Sequence, residues 1–437
     1  NYSKIPFKSG GQVNFGSDIR FSVPLKADLL GGIYLKIKLG DLMRSGDPFL
    51  VGGEVPSYGG NGYYPEFTSY VNGIGFNIID TIKFYINGQL IQTLDSQLIY
   101  LLNELYNEQS KKQAFYRMTQ FYPSIKAENR SFRIANYNVT GVNTELLIPF
   151  FFSNKTTQYL PICALTHSDI QVHIKLKTLD KCIVHKYNAS APANTYLGIN
   201  GTQTDNSPNG PVPALYEAYN ESVTGSILSF EAIAEYIYLD DEERKLFLNK
   251  ELSYLIELYN IGSPEIINNP TSSNTYYMDI NAKHPTKFLL WTLQREDVFN
   301  ANFYDNYTND FGLKYIDGNY SYHWVDHLMN DTTIMLNNSD LSEVDSIFLS
   351  EVQLYEKFNN STNSIVYLYS FALNPRQLEP TGTINLSKIL HKTLKIKLVD
   401  DSKYTNNNTK PNIIFRYYSC YYNILSIQNG LAGIVFQ

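Results

Sequence analysis

This chain of 437 residues is short of charge. Only 18% of it is Asp, Glu, Lys or Arg, against about a quarter in an average soluble domain. It is short of metal-binding and reactive side chains too, with 7 His and 3 Cys. Cys163, Cys182 and Cys420 leave one thiol unpaired and have no metal-ligand spacing, which argues against a disulfide framework or a zinc module and for a reduced compartment. No block of about five or six basic residues occurs, and the net charge is −7. The electrostatic footprint of a nucleic-acid binder is therefore missing. No apolar run nears the roughly 18 residues of a membrane span. No charged leader runs into an apolar stretch, so no signal peptide is expected.

The chain is rich in aromatics, with 36 Tyr and 24 Phe. Such residues favour pleated, half-buried surfaces and protein interfaces. Alternation follows the same lead. In 33–39 the odd positions are Ile33, Leu35, Ile37 and Leu39, and the even ones Tyr34, Lys36 and Lys38. Stretches 170–176 and 394–398 repeat the pattern, each strand with one buried and one wet face. Ile-Lys-Leu recurs in all three, a weak sign of duplication. Thr81–Ile86, Asn87-Gly88, then Leu90-Ile91 reads as a tight hairpin. Residues 96–109 form an amphipathic stripe with Ser96 as cap. In residues 240–248 acids come first and bases follow, as a helix dipole prefers, and Asp240 with Glu243 resembles a capping box.

Between about 186 and 226 the alternation stops and Asn, Gly, Pro and Thr dominate, which predicts a loop or linker. Strand patterning resumes at 229–239. The expectation is an all-β chain of two halves, 1–220 and 221–437, each with many short strands and one short helix: two tandem β-sandwiches or barrels. Polar loops are expected at 44–66, 123–143, 299–320 and 400–411.

Candidate chemistry is thin. His323 and His327 are four apart, but the zinc-protease pattern needs Glu after the first, where Trp324 stands. Gly10-Gly11 and Gly73-Ile74-Gly75 lack the phosphate-loop Lys-Ser/Thr, and neither is expected to open a helix after a strand. Cys163 with His167 sits in an apolar context that favours an inert thiol. Asp240–Glu243 reads as a helix start and Asp400-Asp401 as a turn. Sequons at Asn138, Asn154, Asn220, Asn306 and Asn385 are expected to go unused. No catalytic, cofactor or metal residue is assigned.

Two segments are more telling. Residues 145–177 include Ile148-Pro149-Phe150-Phe151-Phe152 and Leu160-Pro161-Ile162-Cys163-Ala164-Leu165, and residues 423–437 include Asn429-Gly430-Leu431-Ala432-Gly433. Both look strand-like, and both resemble signature segments of the major capsid proteins of nucleocytoplasmic large DNA viruses. So, in order, do Gln12–Ser17, Val71–Gly75 through Gln89, Tyr238–Arg244, His284-Pro285 to Trp291, Ser370–Pro375 and Pro380–Ser387. The family's usual segment ahead of the first strand, often with a Phe-Phe-Lys motif, is not seen here, as if a short N-terminal piece were missing. The resemblance implies two eight-stranded jelly rolls with short inserted helices and long surface loops. It implies a homotrimer of pseudo-hexagonal outline tiling an icosahedral shell, with minor capsid and penton proteins as neighbours. It also implies no direct DNA contact, an internal membrane nearby, and assembly in the host cytoplasm. A double jelly-roll scaffold of membrane assembly and a carbohydrate-binding attachment protein are the alternatives. The second needs exposed Trp, and Trp291 lies in an apolar run.

Overall fold

The computed structural model describes residues 1–6, 12–44, 67–121, 142–153, 155–186, 223–248, 250–268, 270, 275–300, 302–309, 314–316, 319–321, 327–399 and 411–436. Sixteen strands build two sandwiches. The first holds β1 (Tyr2–Ile5), β2 (Asp18–Ser22), β3 (Leu29–Leu39), β4 (Ile79–Ile86), β5 (Gln89–Asp95), β6 (Val142–Leu147), β7 (Ile170–Leu176) and β8 (Ile227–Ile237). They form two antiparallel sheets in the orders β1-β8-β3-β6 and β2-β7-β4-β5.

The second holds β9 (Leu252–Ile261), β10 (Thr275–Asp279), β11 (Pro285–Arg295), β12 (Met329–Leu336), β13 (Ser339–Asp345), β14 (Tyr367–Ser370), β15 (Lys392–Leu398) and β16 (Ile413–Gln428). Its sheets run β9-β16-β11-β14 and β10-β15-β12-β13. Adding eight to each number of the first sandwich gives the second. Each is a jelly roll, two sheets with interleaved strand order.

The duplication reaches single residues. β3 and β11 each have 11 residues. Both carry a bulge at the third, Gly31 and Lys287, where pairing skips one position. β5 and β13 both bulge at the third residue, Ile91 and Leu341. The β4–β5 turn has Asn87 and Gly88 at φ 51 and 76, and the β12–β13 turn has Asn337 and Asn338 at 50 and 63. Two left-handed residues suit the twist of a two-residue hairpin. Asn87 Oδ1 accepts the Asp169 amide at 3.1 Å, and Asn337 Oδ1 accepts the Leu390 amide at 3.0 Å. Each turn thus grips the chain entering β7 or β15. Two of the three Ile-Lys-Leu words end those equivalent strands.

The alternation at 33–39, 170–176 and 394–398 is borne out, with the apolar positions buried throughout. Other expectations need correction. The first sandwich does not end at 220, because β8 completes its sheet between β1 and β3. The polar stretch, of which 187–222 lies outside the described residues, is an insertion ahead of β8, and the boundary falls between Ile237 and Leu252. Segment 148–169 is not strand but turns and short 3-10 helices around Pro149 and Pro161. Its Phe150 and Phe152 rings pack on Phe84, with centroids 4.9 and 5.3 Å away.

One helix per half is too few. Helix α1 (Ser96–Tyr106) is followed by α2 (Gln109–Thr119), and β13 runs into wide helical turns over 346–358. The cap of α1 is Asp95, which accepts the Leu98 amide at 2.7 Å, while Ser96 is the first helical residue. Asp345 caps Phe348 in the same way, also at 2.7 Å. Helix α3 (Asp241–Leu248) forms between the sandwiches with its acids first. The expected loop 299–320 holds buried Tyr304 and Tyr307 and short strands at 314–316 and 319–321. The loop expected at 123–143 gives way to β6 at Val142. The bulk of 44–66 and 400–411 lies outside the described residues.

Candidate functional site

The most constrained region is the junction between the sandwiches. Residues paired directly across strands share a face. Leu290, Tyr418 and Ile261 form one such row, and Phe288, Cys420 and Tyr259 the next. This outer face of β9-β16-β11 meets the first sandwich. The Tyr418 hydroxyl donates to Asp95 at 3.4 Å. The Tyr259 hydroxyl donates to that of Tyr106 at 3.4 Å. Phe358 stands between Tyr106 and Phe288, both centroids 5.5 Å away. From Thr286 onward every residue of β11 is buried.

A buried charge sits at the same junction. Glu104 on α1 takes Lys112 Nζ at 3.2 Å, and both side chains are 1% exposed. The Tyr116 hydroxyl donates to Glu104 at 2.6 Å. From the second sandwich, the Asn363 amide and Nδ2 donate to the same carboxylate at 3.1 and 3.2 Å. Lys112 also donates to the Ser361 carbonyl. Asn360 Nδ2 donates to the carbonyls of Glu104, Leu105 and Asn107. The open C-terminal carbonyls of a first-sandwich helix are thus satisfied by a second-sandwich side chain. Each side of the junction completes the other's hydrogen bonds, so separating them strands buried polar groups.

A second fastening is the C-terminal hairpin, β16, Asn429-Gly430 and strand Leu431–Ile434. The Gly430 carbonyl accepts the His167 amide at 3.1 Å and Ser168 Oγ at 2.9 Å. Asn87 Nδ2 donates to Ala432 at 3.3 Å, and Ile434 donates its amide to Gln89 at 3.2 Å. The segment singled out in the sequence is a clasp on the first sandwich.

Electrostatics at the junction follow burial. Desolvation pushes the Asp95 carboxyl up, against the Leu98 amide that favours its charge. Desolvation lowers Lys177 to about 8. Its Nζ donates to Ser96 at 3.0 Å and lies 4.3 Å from the Tyr304 ring centre. These shifts are costs of burial next to structural partners.

The other sequence candidates are not brought together. His327 is buried with Nδ1 3.3 Å from the Tyr367 hydroxyl, while His323 lies outside the described residues. Burial raises the Cys163 thiol, and the His167 amide is held by Gly430. Contrary to expectation, Gly73 does follow a strand and precede a helix. That helix is one turn, Ile74–Asn77, and a side chain at Gly75 would meet the Thr119 backbone at 2.8 Å. Asn306 is buried and its Oδ1 accepts from Thr308, so a glycan has no room there. Gly10-Gly11, Asp400-Asp401, Trp324, Asn138, Asn154 and Asn220 lie outside the described residues. Trp291 is fully buried. Among the described residues no three His, Cys, Asp or Glu stand together as a metal site. A junction cavity of about 130 Å³, lined by Leu160, Pro161, Tyr254, Leu378 and Leu425, is smaller than the roughly 300 Å³ of a small-molecule pocket.

Residues 1–240 match the family model described as the major capsid protein N-terminus, and residues 243–433 match that of the large eukaryotic DNA virus major capsid protein. The chain belongs to this family. It is 21% identical over 518 residues to the major capsid protein of Phaeocystis pouchetii virus, covering 98% of this chain and 91% of that one. The PBCV-1 virus capsid structure superposes with a TM-score of 0.71 at 19% identity, over 100% of this chain and 96% of that one. The Faustovirus major capsid protein gives 0.67 at 11%, over 98% and 90%. At those identities the likeness is one of fold, the double jelly roll. The function is structural, that of a viral shell subunit, and the junction is what makes two sandwiches one building block.

Proposed function

We propose that three copies of this chain form a ring-shaped capsomer that tiles the flat facets of an icosahedral virion. The observation that carries this is the strand-by-strand repeat locked by a hydrogen-bonded junction. Each chain is a rigid pair of like lobes, so three chains about one axis present six. A cyclic trimer closes through heterologous contacts, and six similar lobes give a near-hexagonal outline that packs edge to edge. Minor capsid and penton proteins occupy the seams and vertices, and assembly takes place in the host cytoplasm. The net negative charge suits a shell kept off the genome, with an internal membrane between them. The chain carries out no reaction on another molecule; its work is packing.

Sedimentation equilibrium on the purified full chain tests the reading. A species of about three times the 50.0 kDa chain mass is expected. A stable monomer at micromolar concentration overturns it.

A further inference from the structure

The buried charge at the junction has the parts of a covalent fastening. Lys112 Nζ and Asn363 Nδ2 each lie 3.2 Å from one oxygen, Glu104 Oε2. An amine of the first sandwich and a carboxamide of the second thus flank a single carboxylate. The Tyr116 ring forms an aromatic wall beside them, with the Phe115 and Phe121 centroids 6.1 and 5.1 Å away. The segment that carries the carboxamide is held on both sides. Asn360 is fixed by the three carbonyls at the end of α1, and Ser364 Oγ pairs with the Tyr100 hydroxyl at 2.9 Å. Lys112 Nζ also reaches the Ser361 carbonyl, which brings the amine to that segment. Asn363 Nδ2 donates to Glu104 and to the Tyr116 hydroxyl. The reversed amide would set its oxygen against a carboxylate, so nitrogen faces the acid.

We infer that Lys112 and Asn363 join in an isopeptide bond, which forms once per chain after folding and ties the first sandwich to the second. The Glu104 carboxylate takes a proton from the Lys112 ammonium, a transfer that burial favours because desolvation penalises both charges. The freed lone pair on Nζ attacks Asn363 Cγ, and a C–N bond forms. Glu104, now an acid, donates its proton to Nδ2 and takes a second proton from Nζ. The Cγ–Nδ2 bond breaks and ammonia leaves. Of the two protons lost from Nζ, one departs with ammonia and the other stays on Glu104. A buried ion pair has become two neutral groups, and no oxidant or cofactor is consumed. Holding amine and carboxamide on one carboxylate replaces a bimolecular encounter by a local one. Asn363 is half-buried, which gives ammonia a way out. Lys287, also fully buried, marks the contrast. Its Nζ donates to the Glu257 carboxylate and to the Gln377 backbone carbonyl, so it stays a free amine. The bond lies within one chain and does not depend on how chains assemble.

Intact mass spectrometry of the purified full chain, denatured before injection, tests this. The wild type is expected to be lighter than its sequence mass by one ammonia, and its protease digest to contain a branched peptide joining Lys112 to Asn363. Asn363→Ala alters a half-buried side chain and keeps the Lys112–Glu104 pair. It is expected to fold, to have its full sequence mass and to melt at a lower temperature than the wild type. Glu104→Gln removes the proton carrier, and its soluble fraction is expected at full mass. A folded wild type that stays at full mass after prolonged incubation at neutral pH overturns the inference. So does a missing ammonia that maps to Asn87-Gly88 or Asn429-Gly430, where ring closure on the following backbone nitrogen also releases ammonia. Either result leaves the trimer reading standing, because that reading is decided by sedimentation alone.

Discussion

β3 and β11 are the same strand of the same fold, with the same length and the same bulge, yet they have different surroundings. β3 alternates buried and open positions from Ile33 onward, while β11 is buried almost throughout. The difference is what lies outside each sheet. β11 has its own sandwich on one side and the first sandwich on the other, whereas β3 has only its own. A strand covered on both sides loses its alternation and reads as a continuous run, as Phe288-Leu289-Leu290-Trp291 does. The packing of one sandwich on the other is thus written into the hydrophobic period of single strands.

The largest way to break the comparison is to exchange the two environments. Thr292 and Lys36 occupy equivalent positions. Thr292→Lys would bury an unpaired ammonium and is expected to cost several kcal/mol, leaving little soluble protein. Lys36→Thr is expected to change monomer stability by less than about 0.5 kcal/mol. Denaturant melts of both, scored with expression yield, decide whether the faces differ as described. Ile174→Asp, facing a core that both sandwiches share in kind, should fail as completely as Thr292→Lys.

Next comes the junction charge. Glu104→Gln leaves Lys112 buried beside a neutral partner and is expected to cost about 3–5 kcal/mol. Adding Lys112→Met should recover part of that. If Glu104→Gln alone and Lys112→Met alone are both silent in urea melts, the two lobes are not fastened through this pair.

The third effect depends on pH. Lys177 titrates near 8 when folded and near 10.5 when unfolded. Between those values the unfolded chain binds more protons, so stability rises with pH across that window and the penalty is fully present below 8. At about 1.4 kcal/mol per unit, the wild type should gain about 2 kcal/mol relative to Lys177→Met between pH 7.5 and 9.5. Parallel curves for the two proteins would contradict the burial of a charged amine here.

The smallest effect separates two turns. Gly88 and Gly430 both have positive φ, near 76 and 79. A side chain at Gly88 meets nothing, while one at Gly430 meets Thr166 Oγ1 at 2.4 Å. Gly88→Ala should cost roughly 1 kcal/mol of backbone strain. Gly430→Ala should cost clearly more by loosening the clasp. Equal shifts in melting temperature would mean that the hairpin does not hold the first sandwich.

The sequence shows most where one face of a strand is wet. Ile33–Leu39, Ile170–Leu176 and the Asn87-Gly88 hairpin are legible because alternation and turn chemistry are local. β8 falls on the far side of the boundary that composition suggests because a long polar insertion precedes it, and composition does not say which sheet a strand will join. Helix α2 left a usable trace, since Lys112, Phe115, Tyr116 and Thr119 recur at helical spacing. The helix at 346–358 left another, the Asp-Ser pair that also opens α1. The junction was not legible at all. Glu104 and Asn363 are 259 residues apart, and nothing in either neighbourhood marks a carboxylate and an amide as partners.

Electron cryo-microscopy of the purified oligomer tests the central claim most directly. The account predicts three chains around one axis, each giving two like lobes to a closed ring of six. A map of a single chain, or of copies joined in an open row, would contradict it.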